Sequence, residues 1–515
     1  MAVIGKNILE NLTTGMYTNA KVCYREYIQN ACDQIDLAVE QGIISLEEAI
    51  VDIDIKVKEK YIRIHDNATG VKEANFIADL GDIANSNKIS GKQKGFRGIG
   101  RLCGLAYCKI LKFSTSYLGE NIKSIMVCDA EKMRAMLPDA QKYTIDEVLS
   151  EIVSFKTEKE DVDKHYFDVE LIDVVDTAKD LLNEDEVYDY LSFVAPVDYD
   201  NKFFNRSEIY KFVKDNHLRL DRYRIFVNGS DLVKEYNANL KEGGDLQKKY
   251  DEITNLEFKK FYNKDGELLA WMWYGLSRFE KAIPACNKMR GLRLRKENIQ
   301  IGGDKTLNSL FAESRGNQYF VGEVFAVHKD LIPNSQRDYF NQNIYREYFE
   351  KELRKYFKEV LQKLYYDANR LKNSYKKIQD LNNKITNYNK NIEEKNFISE
   401  EAQSEAFKEI IKAQNDAEKA KKEINKFSEK KEISAFNVVR DNISKRFDGE
   451  LSKTKTDVVD GKTKCTGKDA YIANSFSKLG KKERKHIQTV LTIITEVAPK
   501  EVAEEILSRI KDAFK

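Results

Sequence analysis

The chain has 515 residues, more than one hydrophobic core usually serves, so several domains are expected. Its 86 lysines and arginines nearly balance its 84 aspartates and glutamates, and the formal charge of +2 gives no general argument for binding DNA or an anionic membrane. Seven scattered cysteines without CxxC spacing indicate neither a disulfide framework nor a zinc site. No run approaches the roughly 20 apolar residues that span a bilayer, and the N-terminus lacks a signal-peptide pattern, so a cytoplasmic protein without membrane contact is expected.

The first 175 residues carry alternating helix and strand patterns. Helical spacing extends from residue 7 to about 40, and "VDIDIKVKEKYIRIHD" then alternates apolar and polar residues as a β-hairpin does. A loop "DNATG", a helical stretch "VKEANFIADLGDIA" and the glycine-rich "SGKQKGFRGIGRLCGLA", which leads into an apolar helix, come next. Strand-like runs follow at "KILKFSTSYL", "SIMVCD" and "HYFDVELIDV". This order predicts an α/β sandwich over residues 1–175.

The remainder divides into a mixed region and a helical region. Residues 176–345 contain the strand-like runs "YRIFVNG", "ELLAWMWYGL", "GLRLRKENIQIGG" and "YFVGEVFAV", which predict a second α/β domain. Residues 342–448 contain neither Pro nor Gly, and their apolar residues fall three and four apart. We therefore predict a helical coiled-coil hairpin over 346–435, with Ser399 capping its second helix, and a small helical domain over 436–515. The heptad spacing fits pairing within one chain or between two.

The stretch "EYIQNACDQID" places polar side chains at i, i+4 and i+7 of the first helix. Glu26, Asn30 and Asp33 therefore form one helical stripe within an otherwise apolar segment. An amide oxygen such as that of Asn30 suits Mg²⁺, and Glu26, one turn earlier, is placed to orient or deprotonate a water molecule. Taken alone, such a stripe is more often a solvated helix face.

Residues further along the chain supply what a nucleotide needs. Asp66 ends a predicted strand and can accept a hydrogen bond from the exocyclic amine that distinguishes adenine from guanine, and Gly70 lets the backbone approach the ring. Gly95, Gly98 and Gly100 begin a predicted helix, where backbone N–H groups bind phosphate oxygens. "GFRGIG" alone is a weak signal, but the elements together, in this order, favour a nucleotide site.

These motifs, ending with "GFRGIGRL" at 95–102, resemble the ATP-binding boxes of the GHKL superfamily, which includes gyrase, Hsp90, histidine kinases, MutL and the MORC ATPases. The resemblance covers the first 175 residues and implies the Bergerat fold, an α/β sandwich that holds ATP under a mobile lid. The family usually has Gly where Ala68 stands, and a methyl group there would tighten the adenine pocket.

The resemblance implies a role for each motif. Glu26 would be the general base, Asn30 the Mg²⁺ ligand and Asp66 the adenine reader. The other positions that contact the nucleotide would be Asp33, Gly70, Gly95, Phe96, Arg97, Gly98, Ile99 and Gly100. The lid would be "ANSNKISGKQK" at 84–94, and the lysines nearest the nucleotide would be among Lys88, Lys92 and Lys94.

A second resemblance lies near residue 335. "DLIPNSQRDYF" resembles the middle-domain loop of Hsp90 in which an arginine reaches the γ-phosphate, and here that arginine would be Arg337. "GLRLRKENIQIGGD" followed by "VGEVFAV" resembles the transducer region of Hsp90-like and MORC-like proteins. An arginine supplied by another domain would stabilise phosphoryl-transfer charge only after closure. A structural ion pair is the alternative role for Arg337.

Other polar residues have simpler interpretations. His65 points to the opposite face of its strand from Asp66, so a structural role is favoured. One basic run either contacts nucleic-acid phosphates or forms the solvated face of a strand, and the solvated face is favoured. Its members are Lys288, Arg290, Arg293, Arg295 and Lys296.

The predicted function is that of a Mg²⁺-dependent ATPase in which ATP binding and hydrolysis drive closure of a homodimer. The closing dimer would act on a protein partner or on DNA, for example in antiviral defence of bacteria. One alternative is a nucleotide-binding scaffold with little turnover that recruits an effector through its coiled coil. Another is an ATP-gated nucleic-acid clamp, which the charge balance does not specially support.

Overall fold

The computed structural model describes residues 19–81, 100–138, 143–244, 247–429, 434–451, 471, 476 and 479–513. The chain forms two compact units: the first is Met1–Ser277 with Lys281–Gln362, and the second is Arg278–Glu280 with Lys363–Lys515. The division into four domains stays a prediction. None of the described helices is both long and apolar enough to cross a membrane.

A mixed eight-stranded sheet forms the first half of the first unit. Its strands are β1 (Ile50–Lys56), β2 (Tyr61–Asp66), β3 (Cys108–Ser116), β4 (Ile122–Asp129), β5 (Val153–Lys159), β6 (Tyr166–Val174), β7 (Arg224–Val227) and β8 (Ser230–Asp231). They lie in the order β5-β4-β3-β6-β2-β1-β7-β8. The predicted hairpin is confirmed, since β1 and β2 pair antiparallel. β5 was not predicted, because nearly all its side chains are exposed and it shows no alternation. β7, which lies beyond residue 175, joins this sheet parallel to β1.

Helices pack against this sheet. They are α1 (Val22–Glu40), α2 (Glu73–Gly81), α3 (Ala130–Met136), α4 (Ile145–Ile152) and α5 (Glu184–Val194), with 3₁₀ segments at Gly100–Ala106 and Asp176–Leu182. The apolar residues of α1, such as Ile28 and Ile35, recur at helical spacing and share one core with Ile62 and Ile64 of β2. Full burial of a side chain of this size contributes roughly 1.5–3 kcal/mol. This burial holds α1 in place on the sheet and thereby fixes the position of its polar stripe.

A second sheet forms the other half of the first unit. Its strands are β11 (Asn255–Tyr262), β12 (Leu268–Leu276), β13 (Gly291–Lys296), β14 (Ile299–Gln300) and β15 (Val321–Ala326), in the order β11-β12-β15-β13-β14, beside a ribbon of β9 (Asn239–Glu242) and β10 (Lys248–Glu252). The helical elements are α6 (Arg206–Asp215), the 3₁₀ segments Thr306–Leu310 and Ser314–Tyr319, and α7 (Ile344–Tyr356), which a π-turn at Phe357–Leu361 follows. Every residue of β13 and β15 is buried, as in a sheet covered on both faces.

Glu323 of β15 is the centre of a buried ionic network. Its carboxylate accepts hydrogen bonds from Arg295 Nε and the Tyr199 hydroxyl, and from Lys234 Nζ and the Tyr236 hydroxyl at 3.1 Å each. Burial alone would raise the pKa of Glu323, but Arg295 and Lys234 hold it well below its usual range. The network therefore ties β13 and β15 to the segments that carry Tyr199 and Lys234.

The prediction of a solvated face for the basic run is wrong for three of its members. Arg293, Arg295 and Lys296 are buried. Arg295 pairs with Glu323, and Lys296 Nζ donates to the backbone oxygen of His328 at 2.7 Å. Because both faces of β13 are covered, alternation along this strand leaves neither face in water.

The second unit is helical. Its helices are α8 (Gln362–Glu393), α9 (Glu400–Glu429), α10 (Ser434–Leu451), α11 (Lys481–Val497) and α12 (Lys500–Ala513). α8 and α9 pair antiparallel within one chain, since ion pairs join Arg370 to Glu423 at 2.6 Å and Lys384 to Glu409 at 3.4 Å. Ser399 Oγ accepts a hydrogen bond from the Ala402 N–H at 3.3 Å, which confirms the predicted cap.

Replacing Glu323 with Gln should lower the free energy of unfolding by about 3–5 kcal/mol, because Arg295 and Lys234 stay buried without their counter-charge. Urea denaturation followed by circular dichroism measures this change. The matched control is Glu313→Gln, which removes an exposed carboxylate paired with Arg315 and should change the free energy by less than about 1 kcal/mol. Equal losses in the two variants would contradict a central role for Glu323.

Candidate functional site

The polar stripe of α1 is largely withdrawn from water. Glu26 is 8 % exposed, Asp33 is buried and Asn30 is half-buried. The solvated-face alternative is therefore wrong for both carboxylates. Acidic side chains are rarely buried without partners, so these positions need a structural or functional reason.

The 3₁₀ segment Gly100–Ala106 is held against α1 beside Glu26. The Gly104 N–H donates to the Tyr27 hydroxyl at 2.9 Å, and this hydroxyl donates to the backbone oxygen of Arg101 at 3.0 Å. Burial raises the pKa of Tyr27, so its hydroxyl stays protonated and able to donate. A Cβ at position 100 would lie 2.6 Å from Oε2 of Glu26, so this close approach requires glycine.

Asp66 ends β2 on the face that packs against α1. It is 4 % exposed, and its Oδ1 accepts a hydrogen bond from the Ala68 N–H at 3.1 Å. Gly70 has a φ of +66°, and a Cβ there would lie 1.9 Å from the backbone oxygen of Ser116, so only glycine lets the loop fold this tightly against the end of β3. His65 pairs with Asp168 at 2.9 Å on the other face, in line with its structural interpretation.

Thr115 is a site residue that sequence reasoning missed. It lies in one cross-strand row with Phe167 and Asp66, because Phe167 of β6 is opposite both residues. The buried Thr115 hydroxyl accepts a hydrogen bond from the Val71 N–H at 3.0 Å and donates to the backbone oxygen of Tyr166 at 2.7 Å. Thr115 thus fixes the loop after Asp66. Only the register of three strands reveals it, and no local sequence pattern does.

Arg337 reaches the stripe of α1 from the other half of the first unit. Its Nε lies 3.4 Å from Oε1 of Glu26, and Arg25 approaches the same oxygen at 3.3 Å. A guanidinium nitrogen of Arg25 also donates to the backbone oxygen of Gln336 at 3.3 Å. The structure therefore brings together Glu26 and Arg337, which are separated by more than 300 positions in the sequence and are both predicted catalytic residues.

The loop that carries Arg337 is a tight hairpin. Pro333 bridges to Phe340, the Arg337 N–H donates to the Asn334 oxygen at 3.1 Å, and Arg337 has a left-handed φ of 54°. The Gly302 N–H donates to the backbone oxygen of Arg337 at 2.8 Å. Gly302 has a φ of +65°, and a Cβ there would lie 2.0 Å from Thr306 Oγ1. Gly302 therefore supports the loop where no other residue fits.

Several predicted site residues lie outside the described residues. They are the lid segment 84–94 with Lys88, Lys92 and Lys94, and the loop residues Gly95, Phe96, Arg97, Gly98 and Ile99. Their predicted roles stay predictions.

The described residues fit ATP in two respects. Gly100 leaves beside Glu26 the space that a Cβ would fill. The buried side-chain amide of Gln29, one turn after Glu26, has no hydrogen-bond partner in the described part of the chain.

Residues 20–157 match the family model described as "Histidine kinase-, DNA gyrase B-, and HSP90-like ATPase". The matched range contains Glu26, Asn30, Asp66 and Gly100. Together with the α/β fold, this match places residues 20–157 in the GHKL superfamily, as an ATP-binding domain. No curated protein matches the chain.

Replacing Gly302 with Ala should lower the free energy of unfolding by roughly 1–3 kcal/mol, because the new Cβ meets Thr306 and φ is positive. Thermal or urea unfolding measures the change. The control is Gly303→Ala, since nothing lies within 4 Å of a Cβ built at that position. A Gly302→Ala variant as stable as Gly303→Ala would show that the loop does not depend on this glycine.

Proposed function

We propose that the protein is a Mg²⁺-dependent ATP hydrolase in which Glu26 is the general base and Arg337 stabilises the charge of phosphoryl transfer. The observation that carries this proposal is the 3.4 Å approach of Arg337 to Glu26 beside the glycine at position 100. A carboxylate can activate the attacking water, and a guanidinium can stabilise charge on a γ-phosphate. Here the two groups lie side by side.

Each residue then has one task. Asp66 would accept a hydrogen bond from the adenine amine, and Asn30 would hold Mg²⁺ through its amide oxygen. Bound Mg²⁺ would neutralise charge on the phosphate oxygens. Glu26 would orient the attacking water and take its proton, and Arg337 would donate hydrogen bonds to the γ-phosphate as its charge redistributes.

Two guanidinium groups contact the same oxygen of Glu26. Arg25 and Arg337 both approach Oε1, so a water molecule that this oxygen is to orient needs one of them to leave. Hydrolysis therefore requires Arg337 to exchange the Glu26 carboxylate for the γ-phosphate when ATP binds. Glu26 and Arg337 belong to one chain, so this exchange does not itself depend on closure of a homodimer. Closure of a homodimer, action on a protein partner or on DNA, and a role in defence stay predictions.

The same ion pairs favour a second candidate function, a nucleotide-binding scaffold with little turnover. If Arg337 stays on Glu26 when ATP is bound, the base is held inactive and ATP acts only as a structural ligand. Turnover by the purified full chain separates the two candidates.

Glu26→Gln should lower kcat for ATP hydrolysis by roughly 10²–10⁴-fold and leave ATP binding intact, because the amide cannot take the proton of water. Asp66→Asn should instead weaken ATP binding, since the adenine amine loses its acceptor. Steady-state hydrolysis and nucleotide titration measure the two effects, and Glu40→Gln, at the exposed end of α1, is the matched control. Wild-type protein that binds ATP without hydrolysing it would support the scaffold.

Arg337→Ala should lower kcat by at least about 10²-fold with a change in ATP affinity of no more than about threefold, because the arginine acts mainly on transition-state charge. Arg315→Ala, at an exposed position of the same half of the unit, should change neither quantity. An unchanged kcat for Arg337→Ala would mean that its contact with Glu26 is only a structural ion pair.

A further inference from the structure

A cavity of about 650 Å³ lies inside the first unit beside Arg337. Arg25 and Arg337 line it from the proposed catalytic site, and Lys288, Arg290 and Arg293 line it from β13 and the turn before β13. These five basic residues define a surface that we call the basic cleft. Of these five residues, the proposed hydrolysis of ATP uses only Arg337.

Two arginines of the basic cleft have no carboxylate partner among the described residues. Arg293 is 7 % exposed, and its guanidinium donates to Gln300 Oε1 at 3.0 Å and to the backbone oxygen of Lys288, while its buried Nε has no acceptor. Arg290 donates to the backbone oxygen of Ile283 at 3.3 Å. All these acceptors are neutral. Burial lowers the pKa of Arg293, and the carboxylates of Asp304 and Glu323 offset only part of this effect. A buried cation without a direct ion pair is stabilised by an anion placed against it, so this wall suits an anion.

The acidic residues of the cleft do not supply that anion. Asp189 pairs with Lys288, and Asp338 accepts a hydrogen bond from the amide of Asn334. Asp304 lines the cleft, but within the described structure it forms no ion pair with Arg290 or Arg293. Within the described structure, Arg290 and Arg293 are therefore not engaged in a direct ion pair, although the guanidinium of Arg293 lies over the Phe193 ring at 4.2 Å.

The size and the walls of the cleft indicate the kind of ligand. Small-molecule sites commonly enclose about 300–1,000 Å³, so the cleft exceeds what a single phosphate would fill. Guanidinium groups bind phosphate oxygens in bidentate geometry, and several of them in one cleft suit several phosphates. Val22, Tyr190 and Val194 add an apolar wall on which a ring can rest.

We infer that the basic cleft is a second ligand site, separate from the adenine-reading Asp66, for a small molecule that carries a chain of phosphate groups. Lys288, Arg290 and Arg293 bind the phosphates. Inorganic oligophosphates and nucleoside polyphosphates share this chemistry, and the apolar wall admits the ring of a nucleotide. A bound ligand also attracts Arg337 away from Glu26; this last consequence rests on the proposed function, whereas the binding itself does not.

Calorimetric titration of the full chain with inorganic tripolyphosphate, in excess Mg-ADP, tests the inference without any measurement of hydrolysis. We expect one bound tripolyphosphate per chain, and a dissociation constant that rises at least about tenfold in Arg290→Ala. Lys288→Ala, at an exposed position, provides a second variant that removes charge without disturbing a buried group, and it should also weaken binding. A parallel titration with GTP shows whether a ring adds affinity to the phosphate chain.

The control is Lys305→Ala, which removes an exposed charge near the cleft but outside its lining, and it should leave the dissociation constant within about twofold. The absence of binding would overturn the inference. The inference would also be overturned if ADP competed with tripolyphosphate while Arg290→Ala and Lys288→Ala left the dissociation constant unchanged. Tripolyphosphate would then occupy the ATP site. If Lys305→Ala weakened binding as much as Arg290→Ala, tripolyphosphate would be held by general electrostatic attraction, and the inference would be wrong.

Discussion

The carboxylate of Glu26 lies between two guanidinium groups, and this contact joins the two halves of the first unit. Arg25 comes from the same helix, and Arg337 comes from a hairpin loop that follows the second sheet. A carboxylate that is 8 % exposed must be compensated, and here the compensating charge is also the group that can act on a phosphate. The folding stability of the site and its proposed chemistry therefore depend on the same pair of side chains, Glu26 and Arg337.

The rest of the first unit holds these side chains in place. Tyr27 ties the segment after the predicted phosphate loop to α1, and Gly100 gives that segment its close approach to Glu26. On the other side, Gly302 supports the backbone of Arg337, and the Glu323 network holds β13 and β15 together. A ligand in the basic cleft would lie beside the proposed catalytic site, because Arg25 and Arg337 line the cleft and also contact Glu26.

Features that depend on short spacing could be predicted from the sequence. The stripe with Glu26, the β1–β2 hairpin and the cap at Ser399 each follow from residues a few positions apart. Features that depend on distant pairing could not: Thr115 joins the site through the register of β2, β6 and β3, and Arg295 is buried because Glu323 lies on a neighbouring strand. The alternation in the basic run predicted a solvated face, and this prediction was wrong because nothing in the local sequence shows that both faces of β13 are covered.

In the proposed function, Glu26 and Arg337 act together on one phosphate. Single-turnover hydrolysis of ATP by Glu26→Gln, Arg337→Ala and the double variant tests it directly. Residues that act as a unit give strongly non-additive losses, so the double variant should hydrolyse ATP about as slowly as Glu26→Gln alone. Losses that simply multiply, with intact folding in all three variants, would show that the two residues act independently and would contradict the account.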